Sequence, residues 1–132
     1  MRLTKNFTLR EFKCKDGTRV PDHLIENTLE LAKNLQELRD FLGEPVRVNS
    51  SYRTEAHNKS VGGSVQSQHL LAKASDIKVK GIDTEDLYLI IEKLIEQGCM
   101  KEGGLGLYNT FIHYDTRGTR ARWDNRNKEN FY

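Results

Sequence analysis

Two imidazoles and a carboxylate are the residues of this chain best suited to chemistry. His69 and Asp76 lie seven positions apart in Ser67-Gln68-His69-Leu70-Leu71-Ala72-Lys73-Ala74-Ser75-Asp76, and His113 follows in Phe111-Ile112-His113-Tyr114-Asp115. Such a trio is a common ligand set for a catalytic zinc, which takes three protein ligands and leaves a fourth position to water. Arg53, at the end of Val48-Asn49-Ser50-Ser51-Tyr52-Arg53, adds a fixed cation. It could grip a substrate carboxylate bidentately or stabilise charge on an oxyanion. Asp115 shares a strand face with His113, so it could bind metal, carry a proton or anchor Arg117. The chemistry this pattern points to is metal-assisted hydrolysis.

Elements of regular structure must bring these distant positions together. Leu24, Ile25, Thr28, Leu31, Ala32, Leu35, Leu38, Phe41 and Leu42 recur at three- and four-residue steps and predict a helix over Asp22 to Leu42. Pro21 precedes it, and Gly43 with Pro45 ends it. A second helix is expected from a cap at Asp83 or Thr84, through Leu87, Ile90, Ile91, Leu94 and Ile95, to Gly98. Strands are expected over Val46 to Tyr52, Ala74 to Lys80, Leu105 to Tyr108, Phe111 to Asp115 and Ala121 to Trp123. Alternation then sends Ile77, Val79, Ile112 and Tyr114 toward the helices and leaves Asp76 and His113 on the opposite face. Asn109-Thr110 reads as a tight turn, and Gly103, Gly104 and Gly106 as a source of backbone freedom in the strand before it. Thr54 to Gln68 reads as a short helix followed by a loop over the site.

Composition sets the outer bounds. The 132 residues are 36% hydrophobic and 30% charged, which suits one globular domain over 1–132 with its own core. A formal charge of +2, from 21 basic and 19 acidic side chains, argues against a nucleic-acid partner. The locally basic run from Arg117 to Arg126 reads as a solvated edge, with anionic cell-wall polymer as a partner to consider. No stretch approaches the ~20 apolar residues of a membrane span. The start, Met1 to Phe7, has no apolar run and so no secretory signal is expected. Cys14 and Cys99 are too few for a disulfide framework and are expected as free thiols.

The motifs resemble the peptidase M15 family, the zinc D-Ala-D-Ala carboxypeptidases and peptidoglycan endopeptidases. The family pattern Ser-x-His-x-x-Gly-x-Ala-x-Asp is met at Ser67, His69, Ala74 and Asp76, with Ala72 in the glycine position. Tyr52-Arg53, with Ser51 where glycine is common, is similar to the family's Ser-Gly-Tyr-Arg segment. Asn58 and Val61-Gly62-Gly63 match its connecting loop. Gly104-x-Gly106-x-Tyr108, Phe111-x-His113-x-Asp115 and Ala121-Arg122-Trp123 resemble the closing motif of the compact single-domain branch. Asn6-Phe7-Thr8 through Glu11-Phe12 and Cys14 is similar to the start of that branch.

The resemblance implies zinc held by His69, Asp76 and His113, with Arg53 and Asp115 as catalytic candidates and Ser67 and Tyr108 as substrate-binding ones. Ser67 is also a candidate to orient His69, while Phe111 and Trp123 would wall the groove and His57 would lie nearby. The implied fold is α+β, hedgehog/DD-peptidase-like, a small antiparallel sheet with helices packed on one face. The implied activity is cleavage of peptide bonds next to D-amino acids in peptidoglycan stem peptides or cross-links, as carboxypeptidase or endopeptidase, by a monomer. The place of action would be the cell wall or periplasm, and the missing leader suits a phage lytic or virion protein. One departure stands out. Several relatives carry an acid three residues before the last histidine ligand, where this chain has Thr110, leaving Asp115, Glu102 or bound water to handle the proton. A non-catalytic, zinc-stabilised wall-binding module on the same fold is therefore the alternative.

Overall fold

A computed structural model describes residues 1–126; the last six positions of the expected domain, 127–132, lie outside the described residues. The element order is α1 (Ile25–Leu42), β1 (Arg47–Ser50), α2 (Glu55–Ser60), β2 (Ala74–Lys78), α3 (Thr84–Glu96), β3 (Gly104–Leu107), β4 (Ile112–Asp115) and β5 (Ala121–Asp124). Short 3₁₀ turns at Leu9–Phe12, Asp22–Leu24 and Gln68–Leu71 complete it. Each long helix starts and stops for a local reason. Asp83 caps α3 by accepting the Asp86 N–H at 2.9 Å, and Gly43 closes α1 at φ 67° with its N–H on the Arg39 carbonyl.

The apolar stripes do what their spacing predicts. Leu31, Leu35 and Leu38 of α1 and Leu87, Ile91 and Leu94 of α3 join Ile77, Leu105, Ile112 and Tyr114 of the sheet in one buried cluster. Burial of each such side chain is worth about 1.5–3 kcal/mol. Phe41 is an exception to the expected stripe: it stays 60% exposed, and Leu42 is the residue of the last turn packed against the core.

The five strands lie in the order β1-β2-β4-β3-β5. Four of them pair antiparallel, as expected, but β5 runs parallel to β3, so the sheet is mixed. The reason is positional. After β4 the chain reverses at Gly118, but β3 already occupies the place beside β4, so the returning strand pairs with the far edge of β3. Between β1 and β2 the register slips from Val48↔Ile77 to Ser50↔Asp76. This bulge bends β1 where it passes Asp76, a device common beside active sites.

Ala72 is the only non-glycine residue at positive φ among those described (φ 56°, ψ 31°), at the position the M15 pattern gives to glycine. An L-residue in this region is strained by roughly 1–2 kcal/mol. Ala72→Gly would relieve that strain. It would also remove a fully buried methyl worth ~0.8 kcal/mol and add roughly 0.5–1 kcal/mol of unfolded-chain entropy. The terms cancel, so the expected change in unfolding free energy in urea is within about 1 kcal/mol. A shift of more than about 2 kcal/mol either way would show that one of these effects has been misjudged.

Candidate metal centre

Strand register is what joins Asp76 to His113. They are paired residues on β2 and β4, side by side on the face turned away from the helices. His69 arrives differently, on the 3₁₀ turn Gln68–Leu71. Ser67 caps that turn by accepting the His69 backbone N–H at 3.2 Å, and Ala72 ends it. The turn sends His69 inward (3% exposed) and Leu71 outward (45%).

The three side chains converge. His69 Nε2 and His113 Nδ1 each lie 3.3 Å from Asp76 Oδ1, and one ligand atom from each residue falls within a 4.8 Å cluster. The outward nitrogens are already committed. His69 Nδ1 is 2.7 Å from the Ser51 carbonyl, and His113 Nε2 is 2.6 Å from Asp115 Oδ2. A carbonyl and an ionised carboxylate can only accept, so each outward nitrogen carries the ring proton of a neutral imidazole. Two lone pairs and an anionic oxygen then face one another with no donor between them. A divalent cation fits this donor set, and outer partners that fix the tautomers are the usual companions of a histidine–metal site.

Ionisation follows the same geometry. Burial opposes charge on His113, but its hydrogen bond to Asp115 and the negative charge of Asp76 beside it outweigh that and raise its pKa above 6.5. Burial likewise opposes charge on Asp76 and Asp115, yet the neighbouring histidines, and the hydrogen bonds of Arg117 to Asp115, hold both carboxyls well below 3.8. The sign is clear for metal binding. The metal-free site keeps a proton on His113 below its raised pKa, and a metal must expel it. Zinc affinity is therefore expected to fall as pH drops through the raised pKa of His113, with proton release on binding. Calorimetry in buffers of different ionisation enthalpy checks this; no proton release at pH 6 would contradict it.

Asp115 does not line the cleft. It is 0% exposed, with Oδ1 accepting from Gly104 N (2.8 Å) and Arg117 Nε (2.9 Å), and Oδ2 accepting from Arg117 Nη2 (2.7 Å) and facing His113. Of the three roles open to it from sequence, it anchors Arg117 and orients the imidazole from behind. Glu102 is also spoken for, by Arg122 and the Gly103 N–H. Thr110 lies away from the metal cluster, in a separate depression with Lys78 and Asp83.

A cleft of about 590 Å³ opens over the cluster, lined in part by Arg53, Ser67, Tyr108, Phe111, Arg117 and Trp123. Among the described residues Asp76 is the only carboxylate on its wall. Arg53 Nη2 lies 3.4 Å from Asp76 Oδ2 and Nη1 is 3.2 Å from Asn58 Oδ1, while Nε is buried without a partner among the described residues. Gly63 makes room for this arrangement, because a methyl there would overlap Asn58 Oδ1. On the opposite wall Tyr108 stacks on Phe111 with centroids 4.3 Å apart, and Tyr108 Oη accepts from Trp123 Nε1 at 2.9 Å. The Trp123 ring lies 4.9 Å from that of His113. Gly106 sits between them in register, and a methyl there would overlap the indole. Gly103, Gly104 and Gly106 all keep negative or extended φ, so these glycines supply space and not the backbone freedom expected of them.

A family model for peptidase M15 matches residues 4–115. The chain belongs to the peptidase M15 family. Its α+β architecture, a five-strand mixed sheet with helices, agrees with the hedgehog/DD-peptidase fold that this membership implies. No curated protein matches the sequence. Within this M15 domain, motif reasoning brought out Arg53, Ser67, His69, Asp76, Tyr108 and His113, all of which line one cleft. His57 and His23 do not line it: His57 joins the cap of α2 through its backbone N–H, and His23 is exposed. The Ser51 carbonyl was missed, since a backbone acceptor leaves no mark in residue type. Among the described residues no helix is long and apolar enough to cross a membrane, and Cys14 (buried) and Cys99 (exposed) are both free.

Proposed function

We propose that this M15 domain is a zinc-dependent metallopeptidase that hydrolyses peptide bonds next to D-amino acids in peptidoglycan stem peptides or cross-links, acting at the cell wall. The observation that carries the reading is the inward lone pairs of His69 Nε2 and His113 Nδ1 around Asp76, at the floor of an open cleft with Arg53 beside them. Zinc held there would lower the pKa of a bound water to ~7 and polarise the scissile carbonyl.

The chain's own groups supply the rest. Among the described residues only two of the five Arg53 N–H groups meet protein acceptors, one of them at 3.4 Å, so the guanidinium keeps donors for a substrate carboxylate or the oxyanion. Tyr108 Oη already accepts from Trp123, which leaves its own proton to donate to a substrate carbonyl. Ser67 Oγ takes the His69 N–H and likewise retains a proton for an acceptor in the cleft. Asp115 acts as a positioning residue, holding His113 with its lone pair inward. With Asp115, Glu102 and Thr110 off the cleft wall, proton transfer is left to solvent and to hydroxyl groups such as these.

The alternative of a non-catalytic module draws on that lack of a carboxylate base. Against it stands the donor set: three side chains among the described residues approach the metal position, which leaves a fourth site for water. Zinc-loaded protein incubated with muropeptides of defined cross-linking, followed by mass spectrometry, tests the proposal. New termini next to D-residues, abolished by chelation and restored by zinc, are expected. Intact muropeptides in a digest that a known wall peptidase completes would leave only the binding module.

A further inference from the structure

Net positive charge in this chain is concentrated in the N-terminal segment, away from the residues that line the cleft. Residues 1–20 carry Arg2, Lys5, Arg10, Lys13, Lys15 and Arg19 against Glu11 and Asp16, a local +4 in a chain whose total is +2. The arginines near the other end are neutralised within the fold. Arg117 pairs with Asp115, Arg120 and Arg122 with Glu92 and Glu102, and Arg126 with Asp124 and Glu85. Arg10, Lys13, Lys15 and Arg19 are exposed and have no carboxylate within ion-pair distance among the described residues.

These four cations edge two adjoining depressions. One, of about 530 Å³, is lined by Leu9, Arg10, Lys13, Arg19, Val20 and Ile25, with Asp22 as its one acid among the described residues. The other is lined by Arg10, Lys13, Lys15 and Val48, with Glu11 as its acid. Glu11 is occupied by the Thr8 N–H at 2.9 Å, and Asp16 by Thr18 N and Thr54 Oγ1, each at 2.9 Å. The segment is also tied to the cleft. Tyr52 N donates to the Phe12 carbonyl at 3.1 Å and Thr54 Oγ1 to Asp16, on either side of Arg53.

We propose that this N-terminal surface, formed by Arg10, Lys13, Lys15 and Arg19 around the apolar floor of Leu9, Val20 and Ile25, is a docking site for carboxylate-bearing peptide strands of the cell wall. The inference rests on the wall-peptidase reading for its choice of polymer. Charge complementarity argues for it, because stem peptides present free carboxylates spaced by small apolar side chains, which matches cations spread around apolar hollows. Bonds on both sides of Arg53 tie docking here to the segment that faces the substrate. A polymer held this way would raise the local concentration of cleavable strands without altering the metal centre.

Co-sedimentation of the zinc-loaded full chain with purified sacculi tests this, comparing the native chain with the triple variant Arg10→Gln, Lys13→Gln, Arg19→Gln. All three positions are exposed, so the variant is expected to fold and to cut a small soluble muropeptide at the native rate. Its retention on sacculi should weaken about tenfold or more, the native retention should fade as salt rises, and amidation of the wall carboxylates should mimic the substitutions. Equal retention of the two proteins would overturn the proposal. So would undiminished binding to amidated sacculi, or retention on anionic phospholipid vesicles in place of sacculi. If neither protein cuts any muropeptide but retention still depends on these cations, the peptidase reading fails while the docking surface stands.

Discussion

His113→Ala is expected to lose stoichiometric zinc and, with it, all cleavage above background. The substitution removes one of the two imidazole lone pairs that face Asp76 Oδ1 from 3.3 Å. Losing only an outer hydrogen-bond partner of a metal ligand typically costs ~10–100-fold in affinity, and losing the ligand itself must cost more. The fold should survive, because Asp115 keeps its bonds from Gly104 and Arg117 when the imidazole is gone. Metal content after dialysis against a zinc buffer series, with thermal unfolding as a control, measures the effect. A folded variant that still holds one zinc at native affinity would remove His113 from the ligand set and break the proposed centre.

Arg53→Ala should behave in the opposite way, keeping zinc and losing most of the activity. Its guanidinium contacts Asp76 through a long 3.4 Å pair, on the oxygen that does not face the histidines. Metal content should therefore change little. A donor aimed at developing oxyanion charge is worth about 10²–10³ in kcat, and that is the loss expected. If the arginine instead holds a substrate carboxylate, the loss appears mainly in KM. Arg53→Lys should recover only part of either, since a point charge does not reproduce the planar fork. Turnover equal to that of the native chain would make Arg53 a structural partner of Asp76 and Asn58 alone.

These two outcomes separate metal holding from substrate handling, and the separation was already written in residue types. Histidine and aspartate at strand positions of matching parity, and an arginine beside a strand end, are local patterns. Period two along Ala74–Lys78 and Ile112–Asp115 settles which face Asp76 and His113 occupy. The helix stripes were equally legible, because three- and four-residue spacing must bury one face of α1 and α3. Asp115 shows where such reasoning stops. Parity puts it beside His113, but only the packing of Gly104 and the fold-back of Arg117 decide that its oxygens point into protein and not into the cleft.

Sequence alone determined which residue types could hold a metal, the face that Asp76 and His113 share and the α+β class, since each depends on residue identity or on spacing within a single element. Tertiary structure decided the rest. The parallel pairing of β5, the Ser51 carbonyl behind His69, the room that Gly63 and Gly106 leave for Asn58 and Trp123, and the lack of a carboxylate partner for Arg10, Lys13, Lys15 and Arg19 among the described residues all depend on neighbours far away along the chain. The physical reason is that a periodic pattern fixes direction relative to one element's own axis. What a side chain meets in that direction is set by which other elements pack there.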